Sequence, residues 1–327
     1  MSKKVSFIIP HMGREELLAD TLLSISRQSC DLTQLEVIIV TKNPSLAPDT
    51  IKPETNNEEA ENREGSPLSI RVFQAPLDKT ISFQRNFGVQ QSSGEYLAFL
   101  DADIYLSPNW VNAMLTLLEQ HDDFRLVSAV QKASERPSPL EMLRTALSNA
   151  HINCNVEFLP GRNLLLSRHT FNQSGGFPES LETCEDYVFT QRVAALGHLY
   201  YSSVADYIHL GEDKKLWPMA KKEVWRGLSN IDSLKGRKIP ISEWPSFIVP
   251  PAFCLSFILA IVCSVFGLID LAIVCLLVFF SILLAYGIRL RRITYGNPSL
   301  RYIFAFYLLY FPARTIGTIR GALRSRT

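Results

Sequence analysis

The sequence predicts an α/β domain over residues 1–240, followed by a membrane-spanning helical hairpin over 241–290 and a basic amphipathic helix over 291–327. Three observations predict this. Short β-branched runs alternate with helix-period patterns through the first 240 or so residues, as in a sheet flanked by helices. Residues 247–269 and 271–288 are uncharged runs of 23 and 18 residues, separated only by Asp270. From residue 247 onward the chain carries eight arginines, no lysine and one acid, whereas its formal net charge is +1, so the preceding part is net acidic.

The first strand covers residues 5–9, where Pro10 ends the apolar run too early for a secretory signal. Residues 15–28 read as a helix with Leu17, Leu18, Leu22 and Ile25 on one face. Residues 37–40 are continuously apolar, as in a strand covered on both faces. Residues 41–67, rich in Pro, Asn and Glu and without periodicity, read as a long mobile loop with a solvated acidic surface. A third strand at 70–73, a helix at 83–91, a fourth strand at Tyr96–Leu100 and a helix at Trp110–Glu119 follow, with a later helix at 187–196. No internal repeat is visible.

As a helix, residues 247–269 would extend about 34 Å, enough to cross a bilayer core. Neither apolar run has the polar stripe of a soluble surface helix. Lys214, Lys215, Lys221, Lys222, Arg226, Lys235, Arg237 and Lys238 precede the pair. Arg289, Arg291, Arg292 and Arg301 follow it. The positive-inside rule places both flanks and the N-terminal domain in the cytoplasm, and the Asp270 turn outside, as in a multi-pass protein of the plasma (inner) membrane. Residues 302–311 are apolar but end at Pro312, and Arg314, Arg320, Arg324 and Arg326 then alternate with apolar residues. This reads as an amphipathic helix on an anionic leaflet, or as a short third membrane segment.

A hydrophobic content of 47% excludes an extended disordered chain. The charge pattern is not that of a nucleic-acid binder. The six cysteines form no CxxC pair and three lie in the apolar region, which fits a reducing compartment and neither a disulfide scaffold nor structural zinc.

The strand Tyr96–Leu100 runs directly into Asp101-Ala102-Asp103. Carboxylates just beyond the carboxyl end of a buried strand lie where open α/β sheets bind ligands. Such hard oxygen ligands suit Mg²⁺ or Mn²⁺, and the ion suits a diphosphate. Taken alone, Asp-x-Asp is as well explained by a short acidic turn. Glu185-Asp186 likewise reads either as acids at a helix start or as catalytic carboxylates. His209 reads as a structural imidazole or a metal ligand. Cys184 is assigned nothing. Lys221, Lys222 and Arg226 are read as contacts to anionic lipid, and Trp217, Trp225 and Trp244 as an interfacial belt or a sugar-stacking platform.

The ordered set 5-VSFIIP-10, 36-EVIIV-40, 84-QRNFG-88, 94-GEYLAFLDAD-103, 175-GGFPE-179, Glu185-Asp186, Arg192, Gly197 and His209 closely resembles the family 2 glycosyltransferases of the GT-A fold. The resemblance covers roughly residues 4–230 and implies a Rossmann-like nucleotide-diphospho-sugar transferase domain. It implies that Pro10 and His11 contact the nucleotide base, and that Arg85 and Asn86 shape the nucleotide-sugar pocket. Asp101 would face the ribose or sugar, and Asp103, with His209 near it, would bind Mn²⁺ or Mg²⁺ on the diphosphate. Residues 175–179 would lie beside the acceptor. Asp186 would act as the base, with Glu185 beside it. Where the family carries an Asp after the second strand, this chain has Thr41-Lys42-Asn43, which leaves the base undetermined.

The resulting expectation is an inverting, metal-dependent hexosyltransferase of polysaccharide biosynthesis. Its donor would be a UDP- or GDP-linked sugar and its acceptor a lipid-linked or membrane-proximal glycan or lipid at the cytosolic membrane face. Membrane lipids are expected partners and nucleic acid is not. A polyprenyl-phosphate glycosyltransferase and a non-catalytic nucleotide-sugar-binding scaffold are the alternatives. The absence of a Gln-x-x-Arg-Trp motif argues against a processive synthase.

Overall fold

The computed structural model describes residues 4–46, 68–234 and 241–324. Most of the expected long loop, and Lys235, Arg237 and Lys238 of the basic flank, lie outside the described residues. The chain divides into two units, residues 1–134 with 151–212, and residues 135–150 with 213–327.

The first unit is built on a nine-stranded mixed sheet. Its parallel half comprises β1 (Val5–His11), β2 (Leu35–Thr41), β3 (Ser69–Gln74) and β4 (Tyr96–Leu100), in spatial order β3-β2-β1-β4. β1 and β2 are buried at every position, which explains their largely apolar composition. Helix α1 (Glu15–Ser26) connects β1 to β2, and α2 (Ile81–Gln90) leads from β3 into β4. The chain thus proceeds from β1 to β3 on one side and returns to place β4 on the other. The carboxyl ends of β1 and β4 flank the resulting switch point, where such sheets open a ligand crevice.

The second half of the sheet was not resolved strand by strand from sequence. It comprises β5 (Ile104–Leu106), β6 (Phe124–Lys132), β7 (Cys154–Val156), β8 (Asn163–Ser167) and β9 (His198–His209). β8 pairs antiparallel with both β4 and β6, β9 lies parallel to β6, and β5 and β7 pair antiparallel with β9. Helix α3 (Trp110–Glu119) covers this region, with Trp110 fully buried against the Phe7 ring. Helices α5 (Arg168–Ser174) and α6 (Glu185–Ala194) pack a cluster of Phe99, Phe171, Phe177 and Phe189 on the other face.

The second unit is helical: α4 (Pro139–Ser148), α7 (Leu216–Arg226), α8 (Trp244–Val265), α9 (Ile269–Ile293) and α10 (Leu300–Arg324). Helices α8 and α9 each contain an 18-residue stretch, of mean hydropathy 2.4 and 2.8, and are long and apolar enough to cross a membrane. They carry exposed large apolar side chains along their lengths, among them Ile258, Val265, Leu277 and Phe280. Gly267, at a φ of +72°, makes the turn between them. Asp270 lies not in that turn but in the first turn of α9, where a carboxylate favours the helix dipole. All six cysteines are free thiols.

A second expectation is corrected. Pro312 does not close a ten-residue segment; α10 runs through it for 25 residues. A proline costs a helix one N–H donor and crowds the preceding turn. Here the turn is held by packing, because Phe311 and Ala313 are buried on either side of the proline. The Thr315 hydroxyl also donates to the Phe311 carbonyl at 2.8 Å.

Candidate active site

The register of the parallel strands delivers the first residues. His11 and Thr41 are partners at the ends of β1 and β2, and the His11 Nδ1 lies 2.8 Å from the Thr41 hydroxyl. The Thr41 hydroxyl also accepts from the Asn43 N–H at 2.9 Å. Thus Thr41-Lys42-Asn43 forms a turn anchored on His11. Burial pushes the His11 imidazole below its ordinary value, and its buried Nε2 has no hydrogen-bond partner among the described residues. Pro10 is buried beside it. The buried Gln84 amide donates to the His11 and Val40 carbonyls, pinning α2 across both strand ends.

One turn position later, Arg85 enters the crevice with its side chain 2% exposed. Its guanidinium donates to Asp101 Oδ1 at 3.0 Å and to Glu185 Oε1 at 2.9 Å. It also stacks on the Phe177 ring, 4.9 Å from the centroid. Asn86, next along α2, faces the 175–179 loop. Its amide donates to the Phe177 carbonyl and Glu179 carboxylate, and its oxygen accepts from the Phe177 N–H, each at 2.9 Å. Asn86 therefore fixes this loop against α2.

Glu185 and Asp186 open α6. Cys184, at a φ of +63°, turns the chain into the helix, and Glu185 points inward to Arg85. Burial, reinforced by the Asp186 charge and opposed by Arg85, pushes the Glu185 carboxyl up to about 7. Asp186 is half-buried. Its Oδ2 accepts from the Gly161 N–H at 3.1 Å, and its Oδ1 accepts from the Tyr187 N–H at 2.8 Å. Those two bonds fix the carboxylate at the helix start.

Asp103 reaches its partners through the β5–β9 pairing, in which Ile104 lies opposite His209 and the Leu210 N–H donates to the Asp103 carbonyl. The buried Asp103 carboxylate places Oδ1 3.4 Å from His209 Nε2 and Oδ2 2.9 Å from the Arg14 guanidinium. Burial works against its ionisation, but His209 and Arg14 outweigh this and hold it below the usual carboxylate range. Burial would likewise lower His209, yet its bonds to Asp103 and Glu212 raise it. His209 Nδ1 lies 3.1 Å from Glu212 Oε2, which also accepts from Gln131. Gly211 passes so close that a Cβ there would lie 2.0 Å from Asp103 Oδ2.

Two groups therefore form, Asp101–Arg85–Glu185 with Asp186, and Arg14–Asp103–His209–Glu212. Arg14, Gln84, Gly211 and Glu212 carried no assignment from sequence. Arg14 depends on its left-handed backbone, at a φ of 62°, and Glu212 on strand register.

Among the described residues no three His, Cys, Asp or Glu side chains converge as a metal-holding group. Asp103 and His209 offer two neighbouring donors, and Glu212 orients the imidazole from its far side, as carboxylates do behind metal-bound histidines. The Asp103 carboxylate is a hard oxygen donor of the kind that Mn²⁺ or Mg²⁺ takes beside substrate phosphates, with the His209 imidazole next to it.

Residues 6–174 match the sequence model of glycosyl transferase family 2. Over 192 residues the chain is 22% identical to the poly(ribitol-phosphate) beta-N-acetylglucosaminyltransferase TarS of Staphylococcus aureus, covering 58% of this chain and 32% of that protein. The chain thus spans about a third of the length of the curated relatives it matches. Among solved structures, the mannosyltransferase PcManGT from Pyrobaculum calidifontis, in complex with GDP-Man and Mn²⁺, superposes with a TM-score of 0.61 at 16% identity. The match covers 98% of this chain and 88% of that one. Residues 1–349 of S. aureus TarS superpose with a TM-score of 0.51 at 17% identity, covering 99% and 92%.

Proposed function

Because this chain belongs to the family 2 glycosyltransferases of the GT-A fold, we propose that it moves a sugar from a UDP- or GDP-linked donor to a lipid-linked or membrane-proximal glycan or lipid, at the cytosolic membrane face and with inversion. The observation that carries this reading is the Asp101–Arg85–Glu185 chain ending beside Asp186 at the switch point of the sheet.

In this reading Pro10 and His11 contact the base. The unpartnered His11 Nε2 supports that role, because a buried nitrogen without a partner gains from a ligand's hydrogen-bonding group. Asp101, only a third exposed and steadied by Arg85, holds sugar or ribose hydroxyls. Asp103 and His209 would hold Mn²⁺ or Mg²⁺. When bound, the ion would neutralise charge on the leaving diphosphate. Asp186 takes the proton from the acceptor hydroxyl as that oxygen bonds to the anomeric carbon and the bond to the diphosphate oxygen breaks. Glu185, pushed up to about 7, stays beside it as a partly protonated neighbour.

The membrane placement is supported by α8 and α9 and by their basic flanks. The PcManGT neighbour is in complex with GDP-Man and Mn²⁺, which is consistent with a nucleotide-sugar donor and a divalent ion in this reading. The anchor motivates the acceptor class, because it concentrates the site where lipid-linked substrates lie.

The test incubates purified full-length protein with a panel of UDP- and GDP-sugars, with and without membrane lipid extract. One donor should release its nucleoside diphosphate faster with extract, with sugar appearing in the lipid fraction. Binding of a nucleotide sugar without turnover under any condition would instead make the chain a scaffold. Topology is checked in a cysteine-free background, where a cysteine at position 270 should label from outside intact cells and one at position 2 should not.

A further inference from the structure

We propose that the groove between α7 and α10 is a binding site for one anionic phospholipid, its headgroup on Lys221, Arg320 and Arg324 and its acyl chain along Trp225, Leu228 and Leu323. The proposal rests on the membrane placement proposed above and adds a specific ligand to it.

The groove follows from helix periodicity. Lys221, Val224, Trp225 and Leu228 recur at three- and four-residue intervals along α7 and its exit, so they form one stripe. Arg320, Leu323 and Arg324 form the matching stripe on the last turns of α10. The two helices meet in backbone contact. A Cβ on Gly317 would lie 2.3 Å from the Val224 carbonyl, and one on Gly321 would lie 1.9 Å from the Leu228 carbonyl. Only glycine permits this approach, and it leaves the flanking side chains to wall a groove of about 500 Å³. Behind the seam, the buried Glu223 carboxylate of α7 lies near Arg226 and, from other helices, Arg144 and Arg314, which fixes the helices against one another.

The occupant is identified by its chemistry. Trp225 and Leu323 are 53% and 61% exposed, a cost that an acyl chain would remove. Among the described residues neither Lys221 nor Arg320 has a carboxylate partner. Cations beside an apolar floor match a ligand that is anionic at one end and apolar at the other. Inorganic phosphate would leave the floor wet, and a neutral lipid would leave Lys221 and Arg320 unmatched. An anionic phospholipid satisfies both, and basic residues near a membrane surface attract such headgroups.

The experiment places the full-length protein in nanodiscs of neutral phosphatidylcholine containing either brominated phosphatidylglycerol or brominated phosphatidylcholine. It reads quenching of Trp225, isolated by subtracting the Trp225→Phe variant. Brominated phosphatidylglycerol should quench Trp225 more strongly at equal mole fraction. Lys221→Gln and Arg320→Gln should each weaken that preference by about five-fold. Arg292→Gln, an equal charge change at an exposed position away from the groove, should leave it intact. Equal quenching by the two lipids overturns the site while leaving α7 at the membrane. A loss with Arg292→Gln as large as with Arg320→Gln also overturns it, as surface attraction without a site. Quenching by neither lipid overturns both the site and the membrane placement of α7.

Discussion

The Arg85 guanidinium donates to the Glu185 carboxylate at 2.9 Å while holding Asp101 with its other terminal nitrogen, so one buried cation separates the acid after β4 from the acids that open α6. Removing it would leave two carboxylates, with Asp186 beside them, without their shared countercharge. Loss of one partner from a buried pair costs about 3–5 kcal/mol. Arg85→Met should therefore lower the thermal midpoint by roughly 10 °C. Arg85→Lys, which cannot bridge two carboxylates with a planar fork, should fall between the variant and the parent. A midpoint for Arg85→Met within about 2 °C of the parent would show that the carboxylates do not depend on this cation.

Glu185 makes that pair pH-sensitive. An ordinary glutamate titrates near 4.5, whereas burial and the Asp186 charge push Glu185 up to about 7. Between those values the folded chain retains a proton that the unfolded chain has released. The stability associated with this carboxyl is therefore fully present below about 4.5 and is lost as the pH rises through 7. The shift corresponds to roughly 3 kcal/mol. Glu185→Gln carries no titratable group there, so its thermal midpoint relative to the parent should rise between pH 5 and pH 7.5. A difference that stays flat, or falls, over that interval would refute the shift.

Much of this arrangement was legible in the sequence, for local reasons. The parallel half of the sheet is written in short, largely apolar runs, and a strand that ends in Asp-x-Asp locates the crevice mouth without tertiary information. Arg85 and the Glu185-Asp186 pair were legible only as members of an ordered motif set. Nothing local reveals that Arg85 holds both Asp101 and Glu185. Arg14 and Glu212 were not legible, because their roles arise from a left-handed residue after β1 and from the pairing of the three-residue strand β5 with β9. A strand that short has no periodicity to read. The length of α10 was hidden for the opposite reason: Pro312 gives a strong local stop signal that packing overrides.

Gly211 makes a sharper probe of the second group than its neighbours do. Its missing side chain leaves room for the Asp103 carboxylate. Gly211→Ala must displace that carboxylate from His209 or Arg14, and overpacking of this kind costs about 1–3 kcal/mol. Mn²⁺-dependent binding of nucleoside diphosphate should weaken by roughly ten-fold or more, with circular dichroism unchanged. Unaltered affinity would place the diphosphate away from Asp103.

Asp103 itself is held below the usual carboxylate range by His209 and Arg14 despite its burial, so it is ionised at neutral pH. Asp103→Asn keeps the shape but offers a hard cation a neutral amide, a poorer ligand. The variant should retain its fold and lose nucleotide-donor binding in Mn²⁺, measured by calorimetry on the full chain. Equal turnover by the variant, or full activity of the parent in excess chelator, would exclude Asp103 as the metal residue.

Asp186 is expected to act in chemistry rather than in donor binding. Its carboxylate is half-buried and anchored by the Gly161 and Tyr187 N–H groups at the start of α6. An amide in its place keeps an acceptor oxygen for one of those two donors, so Asp186→Asn should disturb the local backbone little. The nucleotide contacts proposed for His11, Asp101 and Asp103 arise from other strands and loops and should survive. What the amide cannot do is accept the acceptor hydroxyl's proton, and loss of a positioned base typically costs on the order of 10² to 10⁴ in rate. The variant should therefore bind the nucleoside diphosphate with near-parental affinity while transfer to acceptor falls by that range. Both quantities are measured on one preparation, because a misfolded protein would lose both together. If transfer remains within a few-fold of the parent, Asp186 serves the helix start, and the proton goes instead to Glu185, whose carboxyl, pushed up to about 7, is the next base within the same turn.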